Sequence, residues 1–211
     1  MKFEYIIFDW DGTVMDSAAK IVVCMQKAAE LAQIEIPTTA QVEHIIGISL
    51  QPAIKQLFSI DDKKANEIVI HYKRVFLEQD KIASPLFDKA TETLIILKQN
   101  ARLAVATGKA RRGLERAWEH TNTKHFFELS RCADEAESKP SSDMLLQIIK
   151  QWNIEPEQAL MVGDTIYDMQ MAENIGMPRV VVSYGVHDKA ELLKYKPLSI
   201  IDSFDMMKVF V

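Results

Sequence analysis

Four short apolar segments of this chain each stop abruptly at small or polar residues, and this pattern constrains the fold more than any other feature. The first, residues 5–8 (YIIF), is followed at once by DWDG. The other three are residues 103–106, 159–162 and 180–182, which are followed by Thr107-Gly108, Gly163-Asp164 and Ser183-Tyr184-Gly185. Continuous apolar runs of this length are typical of strands that are buried on both faces of a parallel sheet.

Helical periodicity fills the segments between these runs. Leu145, Ile148, Ile149 and Trp152 repeat at the spacing of one helix face, after Ser141 as the predicted N-cap. Alternating strands and helices form βαβ units, so we predict an α/β fold with a Rossmann-like parallel sheet. Ligands bind beyond the carboxyl ends of the strands in such sheets, which directs attention to the polar strand ends.

One long segment, residues 15–84, interrupts the alternation with helical spacing and no convincing strand. One apolar stripe comprises Ile21, Met25, Ala28 and Ala32, and a second comprises Ile68, Tyr72 and Val75. We therefore predict a core of residues 1–14 and 85–211, with residues 15–84 as an inserted α-helical cap domain. Because the insertion follows the first strand end, it can act as a lid over a site there.

Charge and cysteine content exclude several classes of protein. The 25 Lys and Arg residues against 30 Asp and Glu residues give a net charge of −5, which argues against a large nucleic-acid-binding face. Cys24 and Cys132 lie far apart, without the spacing of a disulfide framework or a zinc site. No signal peptide is indicated, and no apolar run approaches the length of a membrane span. The sequence predicts a cytoplasmic protein without nucleic-acid or membrane partners, and it leaves the oligomeric state open.

Asp9 and Asp11 stand two residues apart at the first strand end, so their side chains can point the same way. Gly12 allows a sharp turn directly after them. Two close carboxylates suit a division of labour between a nucleophile and a general acid and base. A solvated acidic turn is the alternative interpretation of this short motif.

A second pair of carboxylates, Asp164 and Asp168, follows the third apolar run. Carboxylate oxygens gathered at strand ends suit Mg²⁺, with Asp164 as the expected direct ligand. Asp168 would support the site from behind its direct ligands, or would only cap the first turn of the next helix. Both roles are left open for Asp168.

Three further residues predict a seat for a phosphate. Thr107 and Gly108 offer a hydroxyl and a backbone N–H at a strand end. Lys139 supplies a positive charge that could neutralise both Asp9 and a phosphoryl group. Each of these features is common by itself. Their order on successive βα units is what supports a phosphate-binding site.

Together these motifs resemble those of the haloacid dehalogenase-like (HAD) superfamily, in its helical-cap (C1) branch. The motifs are residues 9–14 (DWDGTV), 106–108 (ATG), 138–140 (SKP) and 163–168 (GDTIYD). The resemblance covers nearly the whole chain, which is most similar to phosphoglycolate phosphatases. Gly108 departs from the Asn that these phosphatases often carry there, so a side-chain contact is lost and the backbone contact is kept.

The resemblance implies Mg²⁺-dependent hydrolysis of a small phosphomonoester, with phosphoglycolate as the best single candidate. Asp9 would attack phosphorus to form an aspartyl-phosphate, and Asp11 would protonate the leaving alcohol and then activate water. Asp9, the Asp11 carbonyl and Asp164 would hold Mg²⁺. The phosphate oxygens would be bound by Thr107, the Gly108 amide and Lys139.

Substrate specificity is expected in the cap, near residues 44–49 (HIIGIS) and at Arg74. Gly47 would bring backbone close to the substrate, and Arg74 would bind a substrate carboxylate if it does not simply face solvent. His44 and Tyr72 are interpreted as packed helix residues.

Three alternatives to a phosphatase remain at this stage. A phosphosugar mutase similar to β-phosphoglucomutase uses the same aspartate chemistry. A phosphoacceptor module also combines strand-end aspartates, Thr and Lys with Mg²⁺, but needs no helical insertion. A non-catalytic interaction protein on the same scaffold is disfavoured because every motif residue is present.

Overall fold

The structure, a computed structural model, describes residues 2–79 and 84–211 of the chain. Within these residues, six parallel strands form one sheet in the order β3-β2-β1-β4-β5-β6. The strands are β1 (Tyr5–Phe8), β2 (Arg102–Ala106), β3 (Leu129–Arg131), β4 (Ala159–Gly163), β5 (Arg179–Val182) and β6 (Ser199–Ile201). The predicted α/β fold with a parallel sheet is therefore confirmed.

The register of the central strands brings their ends level with one another. Phe8 of β1 pairs with Val105 of β2 on one side and with Val162 of β4 on the other. Strands β2 and β3 lie on one side of β1, and β4, β5 and β6 lie on the other, so the strand order switches direction next to β1. Ligands of α/β proteins bind in the crevice at such a switch point. Asp9 follows β1 directly at that crevice.

Helices cover both faces of this sheet. They are α5 (Ala90–Asn100), α6 (Arg111–Thr121), α7 (Asp143–Trp152), α8 (Ile166–Glu173) and α9 (Lys189–Leu192). Short 3₁₀ segments lie at Lys124–Phe126, Pro156–Gln158, Leu193–Tyr195 and Phe204–Phe210. Helix α7 begins at Asp143 with Ser142 as its N-cap, so the prediction of Ser141 as N-cap was wrong by one residue. The Ser141 hydroxyl still accepts a hydrogen bond from the Asp143 amide, at 3.3 Å.

Four helices precede α5, namely α1 (Ala18–Leu31), α2 (Thr39–Glu43), α3 (Leu50–Phe58) and α4 (Asp62–Gln79). The predicted stripe on α1 is buried in an apolar cluster that also contains Ile68 of α4 and Tyr167 of α8. The chain enters and leaves this region side by side, because Asp16 donates from its backbone to Pro85 (2.9 Å) and Phe87 to Val14 (3.1 Å). The division into core and cap stays a prediction, and residues 80–83 of the predicted cap lie outside the described residues.

Over residues 2–79 and 84–211, no helix is both long enough and apolar enough to cross a bilayer.

Candidate active site

A buried cluster of charges lies at the ends of β1 and β4. Lys139 reaches it from the loop before α7, with its Nζ atom 2.8 Å from Oδ1 of Asp9 and 2.6 Å from Oδ1 of Asp168. Asp164 follows β4 and is fully buried, and the other three side chains are at most 1% exposed. The structure thus brings together four of the residues that the sequence singled out.

Burial controls the ionisation of this cluster. It raises the pKa of Asp9 well above its ordinary value, since the opposing charge of Lys139 is offset by Asp168 and Asp164. Burial by itself would lower the pKa of Lys139, but the carboxylates of Asp168 and Asp9 raise it above its ordinary value. Lys139 is therefore a fixed positive charge beneath Asp9.

The backbone of Asp9 is held in place, but the carboxylate oxygens keep free hydrogen-bonding capacity. Neither of its buried oxygens accepts a well-directed hydrogen bond, although Lys139 lies close. The Asp9 amide donates to the carbonyl of Val162 (2.9 Å), which continues the β1–β4 ladder and fixes the backbone. A buried carboxylate with free lone pairs is suited to bind a cation or to attack an electrophile.

Asp164 is held by two donors from different parts of the chain. The Thr13 hydroxyl donates to Oδ1 (2.8 Å), and the Val186 amide donates to Oδ2 (3.0 Å). Burial and the charge of Asp168 raise the pKa of Asp164 to about 7, against these stabilising hydrogen bonds. Gly12 has a φ of +82°, and a Cβ there would lie 2.2 Å from Oδ2 of Asp164, so only glycine fits.

Asp168 caps the first turn of α8 and also contacts a second site residue. It forms a capping box with Thr165 at the start of α8, in which the Thr165 amide and hydroxyl donate to Oδ2 (3.1 and 2.7 Å). Its Oδ1 accepts from Lys139. Both oxygens thus have hydrogen-bonding partners, and Asp168 orients Lys139.

These carboxylates fit a divalent cation. Oxygens of Asp9, Asp164 and Asp168 lie within 4.8 Å of one another. When ionised, three carboxylates against the single charge of Lys139 leave two negative charges in a buried site, where uncompensated charge is costly. Mg²⁺ prefers such hard oxygen ligands and balances this excess.

Asp11 lies apart from this cluster and has its own partners. Its two oxygens are 2.6 and 2.7 Å from Nζ of Lys109, and the Ser17 hydroxyl also donates to Oδ1. The side chain of Lys109 is 12% exposed and that of Asp11 is 11% exposed. The two aspartates therefore have different surroundings.

Thr107 and Gly108 lie under the loop between α2 and α3. The Thr107 amide donates to the carbonyl of Arg131 (3.0 Å), which fixes the end of β2. A Cβ on Gly108 would be 2.5 Å from the carbonyl oxygen of Gly47, so the two segments touch only because glycine is present. Gly47 itself has a φ of +105°.

A cavity of about 810 Å³ opens above these residues. Asp9, Asp11, Thr107 and Gly108 line it from the sheet side, and Gly47 lines it from the helical side. Lys139, Asp164 and Asp168 lie behind Asp9. The structure therefore assembles nearly all of the predicted site at one cavity.

Arg74 is the exception among the predicted residues. Its side chain is 56% exposed, lies 4.0 Å from Glu78 and does not line the cavity. His44 is exposed and ends α2, contrary to the packed position predicted for it, and its ring stacks on that of His187. Tyr72 packs against the apolar cluster of the helical region and also lines the cavity.

Several site residues were missed by the sequence interpretation. They are Thr13 and Ser17, which bind carboxylates, and Lys73, Lys109 and Arg112, which line the cavity. Lys109 directly follows Thr107-Gly108, so its place beside a strand end was a usable signal. The direction of the other side chains depends on contacts between distant segments.

Comparisons with known proteins identify the family of this chain. A family model described as haloacid dehalogenase-like hydrolase matches residues 6–182. The chain belongs to the haloacid dehalogenase-like hydrolases. The predicted superfamily and the predicted class, a hydrolase, are thereby confirmed.

Individual relatives and a solved structure extend the comparison. A Dickeya dadantii protein named "Probable phosphatase IndB" is 31% identical to this hydrolase over 94% of the chain and 89% of its own length. The pyrophosphatase PpaX of Bacillus cereus is 26% identical over 96% and 93%. The crystal structure of a predicted phosphoglycolate phosphatase from Haemophilus somnus has a TM-score of 0.87 at 23% identity, covering 99% of this chain and 98% of its own. The last likeness concerns the fold alone.

Proposed function

We propose that this hydrolase is a Mg²⁺-dependent phosphatase that cleaves small phosphomonoesters through an aspartyl-phosphate on Asp9. The observation that carries the proposal is the contrast between two carboxylates of one cavity: Asp9 has open oxygens above Lys139, and Asp11 has hydrogen-bonding partners of its own. The names of the related phosphatase and pyrophosphatase support the same chemistry.

The proposed reaction has two steps. An Asp9 oxygen attacks phosphorus, the bond from phosphorus to the ester oxygen breaks, and Asp11 gives its proton to the departing alkoxide. Asp11 then takes a proton from water as that water attacks the aspartyl-phosphate. The phosphorus–Asp9 bond breaks, inorganic phosphate leaves, and the cycle ends with Asp9 as a free carboxylate and Asp11 protonated again.

The remaining residues would bind and neutralise the phosphoryl group. Lys139 would contribute its fixed charge, while Thr107 and the Gly108 amide would donate hydrogen bonds to the non-bridging oxygens. Asp9, the Asp11 carbonyl and Asp164 would hold Mg²⁺, with Asp168 behind them. A bound Mg²⁺ supplies charge stabilisation for the phosphoryl oxygens.

Phosphoglycolate is the best single candidate for the substrate, because the four sequence motifs resemble those of phosphoglycolate phosphatases. We retain the cytoplasm as the predicted location and small phosphorylated metabolites as the predicted partners. Nucleic acid is not among the predicted partners, because a net charge of −5 argues against a large nucleic-acid-binding face.

The test is phosphate release from a panel of small phosphomonoesters that includes phosphoglycolate. The purified chain is assayed with Mg²⁺ and again with excess chelator, and sugar phosphates in the panel are checked for isomerised products. Metal-dependent release with one ester preferred is the expected result. No release from any ester would refute the phosphatase, and isomerised sugar phosphate would identify a mutase.

A further inference from the structure

One wall of the cavity carries an excess of positive charge that the proposed reaction does not use. This basic wall consists of Lys73 on α4, Lys109 and, on α6, Arg112 and Arg116. Among the described lining residues, Asp134 is the acidic residue besides Asp9 and Asp11, and it accepts a hydrogen bond from the backbone at the start of α6. The described lining residues of this wall therefore carry more positive than negative charge.

Lys109 joins this wall to the reaction centre. Its ammonium group contacts both oxygens of Asp11 and lies 5.5 Å from the centre of the Phe76 ring on α4. A leaving oxygen that receives a proton from Asp11 must lie within hydrogen-bond distance of the same carboxylate. A group a few bonds beyond that oxygen then falls within reach of Lys109.

The two outer cations are available to a ligand. Arg112 and Lys73 are exposed, and neither forms an ion pair with an acidic residue of ranges 2–79 and 84–211. The neighbouring Arg111 differs, because it binds Glu135 (2.7 and 2.9 Å) and the Ser130 hydroxyl (2.9 Å). Arg111 therefore has a structural role, whereas Arg112 is directed to the cavity.

We propose that the basic wall binds a second anionic group, a carboxylate or a phosphate, on the leaving group of the substrate. Lys109 is the inner specificity residue, and Lys73 and Arg112 are the outer ones. The inference rests on the proposed phosphatase function and narrows its substrates to esters with two anionic ends. The Lys109 side chain is only 12% exposed, and opposite charges attract more strongly at a shielded position than at an open surface, which favours such esters over neutral ones.

The experiment compares phosphoglycolate with 2-hydroxyethyl phosphate, an ester of similar length whose other end is neutral, and includes inorganic pyrophosphate to separate a carboxylate from a phosphate. We expect wild-type kcat/KM to favour an anionic leaving group by about tenfold or more. Lys109→Met should lower this preference about tenfold, and Lys73→Met and Arg112→Met about threefold each. The loss should appear mainly in KM.

Arg74→Met is the matched control, because Arg74 adjoins Lys73 on α4 but lies outside the cavity. It should leave the preference unchanged. Because Lys109 also contacts Asp11, its variant is judged by the ratio between substrates rather than by absolute activity. Hydrolysis with no preference, or a preference that survives all three substitutions, would overturn the inference and leave the phosphatase intact. Inactivity of the wild-type chain towards every ester would overturn both.

Discussion

The two sides of the cavity are built on opposite principles. On the sheet side, Asp9, Lys139, Asp164 and Asp168 are buried, and each charge has a fixed neighbour. On the opposite wall, the outer cations, Lys73 of α4 and Arg112 of α6, are exposed, whereas Lys109 is held by Asp11. The sheet side can hold a reacting group rigidly, whereas the basic wall can adapt to different leaving groups.

Under the proposed function, this difference would separate catalysis from substrate specificity. The strand ends are positioned by backbone hydrogen bonds between parallel strands, which allow little movement. The helical side meets them through the Gly47–Gly108 contact and through a hydrogen bond from the Ser49 amide to the Ser138 hydroxyl (2.9 Å). Substitutions on the sheet side should therefore lower kcat, whereas substitutions in the basic wall should act mainly on KM.

The largest expected effect is that of Asp9→Asn on the sheet side. Turnover should fall by at least about 10⁴-fold, because the amide cannot act as the nucleophile. Folding should survive, since burial raises the pKa of Asp9 and the neutral amide avoids the cost of burying a charge. The measurements are kcat with phosphoglycolate and Mg²⁺, and the thermal unfolding midpoint.

Asp11→Asn is the matched control for this substitution, because it makes the same change and keeps the nucleophile. It should slow turnover by about 10²–10⁴-fold and accumulate a phosphorylated chain, detectable by intact mass. An Asp9→Asn variant that retains most of its activity, or a phosphorylated Asp9→Asn chain, would contradict the assignment of Asp9.

A smaller effect is expected where the two sides meet. Gly108→Ala would place a Cβ 2.5 Å from the Gly47 carbonyl and 2.8 Å from that of Ile48, so the helical side must shift. We expect kcat/KM to fall about 10–100-fold, because displacement by about 1 Å is costly to catalysis. Steady-state kinetics and chemical unfolding measure the two consequences.

Gly113→Ala provides the comparison within the same region. Its Cβ would lie no closer than 3.8 Å to the Lys109 side chain, and the residue is in the first turn of α6. It should raise the free energy of unfolding by about 0.5–1 kcal/mol. Equal losses of kcat/KM in Gly108→Ala and Gly113→Ala would show that the Gly47–Gly108 contact does not determine the catalytic efficiency.

The sheet side was predictable because its signals are local. A buried strand that ends in Asp9, or in Gly163 and Asp164, is visible within a few residues. The strands β3 and β6 were missed because they are short edge strands of three residues, only partly buried. Their sequences lack the continuous apolar run that identified the central strands.

The helical side was poorly predictable because it depends on which way each helix faces. Lys73 and Arg74 are adjacent in the sequence, but only Lys73 lines the cavity. Consecutive helix residues point about 100° apart, and the packing of α4 decides between them. The Lys109–Asp11 ion pair likewise joins residues 98 positions apart, which no local pattern encodes.

The smallest expected effect concerns His187, which links the two sides at a distance from the reacting groups. Its Nδ1 atom accepts a hydrogen bond from the Ile166 amide (3.0 Å), so Nε2 carries the proton, which it shares with the His44 carbonyl (3.2 Å). A second donor, the Tyr167 hydroxyl, reaches the same carbonyl (2.9 Å). A proton on Nδ1 would break the hydrogen bond to the first turn of α8.

Burial and the neighbouring His44 lower the pKa of His187 in the folded chain. The unfolded chain therefore takes up this proton first as the pH falls below the ordinary value of about 6.5, and the folded state loses stability from there downwards. One such proton changes the free energy of unfolding by at most about 1.4 kcal/mol per pH unit. Urea unfolding from pH 8 to pH 5 should show a smaller acid-dependent loss in His187→Gln than in the wild type, with the exposed His120→Gln as control. Parallel curves for all three proteins would mean that His187 does not couple protonation to the junction of the two sides.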